Sequence, residues 1–87
     1  MMQEIHITVD GIALDFETAK NIALAVAEKE GDEPMLISWN DRARDKHSPS
    51  CVKCELHGAP GWEVYGRNHG GRVRISVNKD DYVFIYS

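Results

Sequence analysis

The sequence predicts an α+β domain, a two-layer sandwich in which one helix packs on a mostly antiparallel sheet of about five strands, with the element order β-α-β-β-β-β. Several short segments alternate apolar and polar residues, which is the period of a half-buried strand. One longer segment instead has apolar residues at spacings of three and four, which is the period of a helix. The chain has 87 residues, so we expect residues 1–87 to form a single domain.

The first two elements are predicted from residues 4–27. Residues 4–10 alternate strictly, with Ile5, Ile7 and Val9 on one face, which indicates a strand. Asp15 is a suitable N-cap, because its carboxylate can accept a hydrogen bond from a free amide of the first helical turn. The apolar stripe of the helix that follows consists of Phe16, Ala19, Ile22, Ala23, Val26 and Ala27. Gly31 is expected to end this helix in a left-handed conformation.

The remaining strands are predicted on both sides of a long loop. Residues 35–40 are apolar enough for a central strand, and residues 41–60 carry no apolar period, so we expect them to form a projecting loop. The rest predicts a meander of three strands, with turns between them, at residues 62–67, 72–78 and 82–86. In this arrangement, the sheet face opposite the helix carries Tyr65, Arg72, Arg74 and Trp39. We expect that face to be partly exposed, or to be covered in a homodimer.

Charge and hydropathy exclude several classes of function. The formal net charge is -4 and the pI is about 5.4, which argues against nucleic acid and membrane surfaces as partners, since both are polyanions. No stretch approaches the roughly 20 apolar residues that cross a bilayer. The N-terminus lacks the basic and apolar regions of a secretory signal. We therefore expect a cytoplasmic location.

The charges are also divided along the chain. Residues 1–41 hold nine acidic and two basic side chains, a net of -7, whereas residues 42–78 hold seven basic and three acidic ones, a net of +4. The simpler hypothesis is that the solvated faces of the protein differ in charge by chance. The alternative is a metal-free homodimer that binds an anionic ligand over Arg72 and Arg74.

The densest group of chemically active side chains lies in the long loop, in the pattern His47-x3-Cys51-x2-Cys54-x2-His57. Zinc prefers four sulfur and nitrogen ligands, and a Cys-x2-Cys turn lets two thiolates reach one ion. The sequence therefore predicts a small non-enzymatic binding domain that holds a metal, with zinc as the candidate cofactor. The pattern differs from common zinc sites, because no second cysteine pair is present in the chain.

Two alternatives for the loop stay open. The cysteines can be inert thiols in a solvated loop, or Cys51 can act as the reactive thiolate of a small redox protein or other enzyme. The residues after Cys54 cannot form the helix whose N-terminus usually activates such a thiol, and no hydrolytic or phosphate-binding motif is present, so no catalytic residue is assigned. Trp39 and Trp62, which flank the loop, are expected to close one end of the core rather than to line a ligand pocket.

Four segments carry a resemblance to a known family. They are residues 32–39 (DEPMLISW), 60–66 (PGWEVYG), 69–71 (HGG) and 82–86 (YVFIY). In these segments the chain resembles a small family of uncharacterised proteins from archaea and anaerobic bacteria, known as a domain of unknown function. The resemblance implies a short α+β protein without an assigned activity, and it provides no catalytic residues to carry over.

Overall fold

The structure is a computed structural model, and it describes residues 2–49 and 59–87. The described residues form five strands and two helices. In chain order they are β1 (Gln3–Ile7), α1 (Phe16–Glu30), β2 (Leu36–Asp41), β3 (Lys46–Ser48), α2 (Gly61–Asn68), β4 (Val73–Val77) and β5 (Tyr82–Tyr86). The α+β class is confirmed.

The five strands form one sheet in the order β1-β4-β5-β2-β3. β4 pairs with β5, β5 with β2, and β2 with β3, all antiparallel, whereas β1 and β4 are parallel and place Ile5 beside Ile75. The sheet is therefore mixed, which corrects the prediction of a mostly antiparallel sheet. The parallel pair arises because β1 lies at the edge of the sheet beside a strand that comes 70 residues later in the chain.

Helix α1 packs on one face of the sheet, as its apolar stripe predicted. Asp15 is the N-cap, and its Oδ1 accepts a hydrogen bond from the Thr18 amide at 2.8 Å. The three alanines of the stripe, which are at most 1% exposed, let the helix approach the sheet closely: Ala19, Ala23 and Ala27. Gly31 ends the helix in an extended conformation with φ -170°, so the prediction of a left-handed stop was wrong. No helix in the described part of the chain is long and apolar enough to cross a membrane.

Helix α2 covers the opposite face of the sheet, and it corrects the prediction of a strand over residues 62–67. Alternate residues of β5 contact different layers: Phe84 belongs to the core beneath α1, whereas Val83 and Ile85 pack with Trp62 of α2. The molecule therefore has three layers over this part of the sheet. The predicted hairpin turn at residues 68–71 is instead the end of α2 and its connection to β4.

Gly66 explains why α2 can lie so close to the sheet. A Cβ atom added at Gly66 would lie 2.5 Å from Ser38 Oγ in β2 and 2.8 Å from Ile85 Cδ1 in β5. Both distances are shorter than atoms tolerate, so the missing side chain is what allows this packing. Because residues 62–67 belong to α2, Tyr65 lies in this helix and not in the sheet, where we had expected it.

The long loop is shorter than predicted. Residues 46–48 form β3, which pairs with β2 and places His47 beside Asn40. The structure does not describe residues 50–58, and α2 begins at Gly61. The connection between the edge strand β3 and helix α2 therefore contains Cys51, Cys54 and His57.

Candidate functional site

The candidate site begins at His47, the one predicted metal ligand that the structure describes. Cys51, Cys54 and His57 lie outside the described residues. His47 is exposed on β3, and its pairing with Asn40 fixes the sheet face to which it belongs. Residues two apart in a strand share a face, so Asn40 lies on the same face as Ser38, which contacts α2 at Gly66. His47 and α2, which precede and follow the cysteine segment, therefore lie on one side of the sheet.

The ring of His47 is oriented by the backbone of Pro49. Its Nδ1 lies 3.3 Å from the carbonyl oxygen of Pro49. A carbonyl oxygen only accepts hydrogen bonds, so Nδ1 carries the proton in this contact and Nε2 has the free lone pair. This is the tautomer that a histidine adopts when it binds a metal through Nε2. Within residues 2–49 and 59–87, no three His, Cys, Asp or Glu side chains are grouped closely enough to hold an ion.

Arg74, one of the two predicted anion-binding residues, lies among carboxylates. Its guanidinium contacts Glu63 of α2 through Nε at 2.9 Å and Nη2 at 2.8 Å, and its Nη1 lies 3.5 Å from both Glu4 and Asp80. Burial disfavours the charged guanidinium, but the hydrogen bond and charge of Glu63, followed by the other two carboxylates, raise the pKa of Arg74 above its ordinary value. Arg74 is thus already neutralised within the chain.

Asp80 extends this charge cluster into the turn between β4 and β5. The Ser76 hydroxyl donates to Asp80 Oδ1 at 2.5 Å. This hydrogen bond lowers the pKa of the Asp80 carboxyl against the opposing effect of burial, and the charge of Arg74 lowers it further. Three successive residues of the turn have positive φ, 53° at Asn78, 55° at Lys79 and 69° at Asp80. The side-chain bonds of Ser76 stabilise a turn whose backbone is costly for residues other than glycine.

Arg72, the second predicted anion-binding residue, lies at a different position from Arg74. Its Nη2 donates to the Ser87 carbonyl oxygen at 2.9 Å. It also lines an open depression of about 740 Å³ together with Met2, Glu4, Arg67 and Gly71. Arg74 does not line this depression, although Glu4, which it contacts, does; the second basic side chain beside Arg72 in the depression is Arg67.

A cavity at the N-terminus of α1 was not found from the sequence. It has a volume of about 330 Å³ and is lined by Leu14, Asp15, Phe16, Glu17, Asp41, Arg44 and Tyr82. The carboxylate of Asp41, which is 1% exposed, accepts a hydrogen bond from Arg44 Nε at 2.6 Å. The Tyr82 hydroxyl donates to the Leu14 carbonyl oxygen at 3.1 Å. These groups come from segments far apart in the chain, and no local pattern signals their meeting.

The aromatic residues of this region belong to the core. Trp39 stacks at a tilt against Phe16 with ring centroids 4.6 Å apart, and Phe16 lies 5.6 Å from the ring of Phe84. Trp39 therefore lies beneath α1, not on the opposite face of the sheet. Trp62 of α2 is 6% exposed, and its side chain packs with Val83 and Ile85 between the helix and the sheet. The two tryptophans thus pack in different layers, as core residues and not as two walls of one pocket.

The chain is similar to a protein family and to a relative, neither of which has a described activity. A family described as a domain of unknown function (DUF5619) matches residues 2–86. An uncharacterised protein of Archaeoglobus fulgidus is 32% identical over 84 residues, which cover 97% of this chain and 87% of that protein.

A solved structure gives the same fold. The crystal structure of a novel protein from Archaeoglobus fulgidus superposes with a TM-score of 0.80 at 30% sequence identity. The match covers 100% of this chain and 94% of that one. The arrangement of helices and sheet described above is thus shared by a relative whose structure was determined by crystallography.

Proposed function

We propose that this chain, which belongs to the family described as a domain of unknown function (DUF5619), is a small non-enzymatic binding domain that holds a metal ion. Cys51 and Cys54 would supply two thiolates, and His47 and His57 would supply imidazole nitrogens. Zinc is the ion that best fits two sulfur and two nitrogen ligands. The ion would tie the segment between β3 and α2 to the edge of the sheet.

The orientation of His47 is the observation that carries this proposal. Its Nδ1 donates to the Pro49 carbonyl oxygen at 3.3 Å, which leaves Nε2 for a ligand. Histidines that bind metals almost always donate their other ring N–H to a carbonyl or carboxylate oxygen, which holds the ring in the ligating position. His47 also stands four residues before Cys51, on the strand from which the cysteine segment departs.

The topology supports the proposal independently. The segment with the two cysteines starts at the edge strand β3 and ends at the first turn of α2, and α2 packs on the sheet face to which His47 belongs. Ligands from this segment and from His47 therefore need not pass around the sheet to meet. Binding of an ion would contribute directly to the order of this connection, since metal affinity and folding are coupled in small domains.

Metal content of protein purified without a metal-binding tag tests the proposal. We expect about one equivalent of zinc per chain, and its loss in the double variant Cys51→Ser/Cys54→Ser. His47→Asn should lower the retained zinc and the affinity measured by competition with a chromogenic chelator, by about 10-fold or more. The matched control is His69→Asn. His69 makes the same kind of contact, from Nδ1 to the Tyr65 carbonyl oxygen at 2.9 Å, but it is the C-cap residue of α2 and lies away from the cysteines in sequence.

Two results would contradict the metal site. One is less than about a tenth of an equivalent of zinc or iron together with no uptake of added zinc. The other is equal zinc retention in the wild-type chain and the double cysteine variant. A Cys51 thiol that reacts with iodoacetamide well below pH 8 in the metal-free protein would instead favour the redox alternative.

A second candidate is anion binding, favoured by the presence of Arg67 and Arg72 on one open depression. Inorganic phosphate would be held there by guanidinium donors, and its affinity would fall with added salt. Titration followed by amide chemical shifts tests this. We expect shifts centred on residues 67–72 that disappear in Arg72→Gln. Shifts absent up to tens of millimolar phosphate would remove this candidate.

A further inference from the structure

Strand β1 lies at one edge of the sheet that the described residues form. β1 is the terminal strand of the sheet, and among the described residues its one strand partner is β4. The Gln3 amide donates to the Arg72 carbonyl oxygen, and the Asn78 amide donates to the Ile7 carbonyl oxygen, both at 2.8 Å. Because the backbone groups of a strand alternate in direction, residues 3, 5 and 7 bond inward to β4. The amides and carbonyls of Glu4 and His6 therefore point outward.

The structure keeps this edge extended beyond the strand itself. The side-chain amide of Asn78 accepts from the Val9 amide at 2.8 Å and donates to the Val9 carbonyl oxygen at 3.2 Å. These two bonds imitate a further pair of a β-ladder and hold Val9 beside Asn78, two residues beyond the end of β1. Residues 3–7 contain no proline or lysine, the residues with which proteins usually block an open edge.

We propose that β1 pairs antiparallel with β1 of a second copy of this chain, centred on Ile5, to form a continuous ten-stranded sheet across a two-fold axis. The inference is independent of the proposed metal site. Backbone hydrogen bonds to exposed strand edges are a common mode of protein association. A symmetric pair of identical strands also satisfies the self-complementarity that a two-fold dimer requires.

The side chains of β1 favour the register centred on Ile5 over the two neighbouring registers. The outward backbone groups allow hydrogen-bonded pairs centred on residue 4, 5 or 6. Centring on Glu4 opposes two glutamates, and centring on His6 opposes two histidines. Centring on Ile5 instead places Glu4 of each copy opposite His6 of the other, twice, with the two Ile5 side chains facing each other. Glu4 and His6 already lie within reach inside one chain, with His6 Nε2 3.5 Å from Glu4 Oε2. A carboxylate opposite an imidazole N–H donor is favoured across a ladder, and two carboxylates directly opposite each other are disfavoured.

An apolar flank of α1 would extend the contact. Val26, Ile5 and Ile7 each pack against the same buried core, and Ile22 lies one turn before Val26 on one flank of α1. The other flank carries Phe16, which contacts Trp39 of β2, and Leu24. Two short strands bury less than the roughly 1,600 Å² of a standard interface. Contact between the Ile22 flanks of the two helices would supply part of the remainder.

Sedimentation equilibrium of the whole chain tests the pairing. We expect a wild-type dimer of twice the 9.8 kDa chain mass, unchanged by a metal chelator, so that loss of the metal site and loss of the dimer are separate results. His6→Glu places glutamates opposite each other and should weaken the dimer at least about tenfold, whereas the exchange Glu4→His/His6→Glu should restore it. Ile22→Glu should weaken it too, and Leu24→Glu, on the other flank of α1, should not.

Cysteine cross-linking reads the register directly. In a background of Cys51→Ser/Cys54→Ser, Ile5→Cys should form an intermolecular disulfide under mild oxidation, since directly opposed residues of an antiparallel pair lie within disulfide range. Glu4→Cys and His6→Cys should cross-link far less, because the two copies of each would be offset along the strands. A monomeric wild-type chain, a dimer that the residue exchange fails to restore, or preferred cross-linking at residue 4 or 6 would each overturn the proposal.

Discussion

Arg74 of β4 and Glu63 of α2 form a two-point contact in which Nε and Nη2 of the guanidinium lie 2.9 and 2.8 Å from the same carboxylate oxygen, Oε1. The side chains are 12% and 18% exposed. This contact joins α2 to β4, in addition to the apolar contacts of Trp62 with Val83 and Ile85 of β5. A largely buried arginine thus contributes to the position of α2, which the apolar contacts alone do not determine.

Removing this cation should destabilise the fold. Arg74→Met leaves the carboxylates of Glu63, Glu4 and Asp80 without their shared partner, and we expect the free energy of unfolding to fall by about 2–4 kcal/mol. Arg67 is the matched control, because it also contacts Glu63, at 3.6 Å, but is 57% exposed. Arg67→Met should cost less than about 1 kcal/mol. Urea unfolding followed by circular dichroism measures both, and equal effects would show that Arg74 has no special role.

The free energy of unfolding should fall in acid, in part because Asp80, in the turn between β4 and β5, becomes protonated. The folded pKa of Asp80 is below its usual value of 3.8, because of the Ser76 hydrogen bond and the charge of Arg74. A lowered carboxyl pKa contributes stability that is complete above the unfolded value and is lost as the pH falls through the folded one. Asp15 acts in the same direction through its bonds to Thr18.

Ser76→Ala isolates the contribution of Asp80 in acid. The variant lacks the hydroxyl that donates to the carboxylate, so its free energy of unfolding should decline less steeply than that of the wild type below about pH 4. Unfolding by urea at a series of pH values between about 6 and about 2 measures the two slopes. Parallel curves would mean that the hydrogen bond does not favour the ionised form.

Stability should also fall in alkali, through Tyr86. Burial, with a smaller contribution from the charge of Glu28, raises the pKa of Tyr86 from 10.0 to about 12. A tyrosine whose folded pKa is raised contributes stability that is present below the unfolded value and is lost as the pH rises toward the folded one. Tyr86→Phe should therefore lose less stability between pH 10 and 12 than the wild type.

The close approach of α2 to the sheet predicts a coupled pair of substitutions. Gly66→Ala should lower the free energy of unfolding by about 1–3 kcal/mol through overpacking, even though alanine is the better helix former by about 1 kcal/mol. Ser38→Ala alone should be neutral or stabilising, because Ser38 Oγ is buried without a hydrogen-bond partner among the described residues. In Gly66→Ala, the same substitution should recover part of the loss, since it removes the nearest obstructing atom.

A double-mutant cycle measures that coupling. Gly70→Ala is the control, because Gly70 has φ +91° and nothing within 4 Å of an added Cβ. Its cost should arise from the backbone alone and should not change with Ser38→Ala. Additive effects for Gly66 and Ser38 would mean that the helix shifts away from the sheet without relying on this contact.

The elements that the sequence predicted well are those with a repeated local pattern. The alternation at Ile5 and Ile7, the Asp15 cap and the alanine stripe each constrain several consecutive residues, so β1 and α1 were recognisable before any tertiary contact was known. The strands at residues 35–40, 72–78 and 82–86 were placed within one residue of β2, β4 and β5. The Cys-x2-Cys spacing is also a local pattern, but Cys51 and Cys54 lie outside the described residues, so the metal site stays a prediction.

The errors occurred where a segment was too short to define a period. The eight residues of α2 span about two turns, and Trp62, Val64 and Gly66 alternate as a strand would, so spacing alone could not separate the two. The three residues of β3 carry no pattern at all. In both cases a partner decides: Gly66 allows a helix against Ser38, and β2 supplies the ladder for His47.

The amino-acid sequence by itself determined which residues are buried. For the longer segments, the spacing of these residues also determined whether the backbone forms a helix or a strand. Tertiary structure alone decided that β1 lies parallel to β4, that Arg74 meets carboxylates from β1, α2 and the turn after β4, and that the backbone groups of Glu4 and His6 lie on the side of β1 away from β4. The physical reason is that hydrophobic burial is non-directional and is recorded locally along the chain. Hydrogen bonds and ion pairs instead depend on the distance and orientation of two partners, which exist only once the layers have packed.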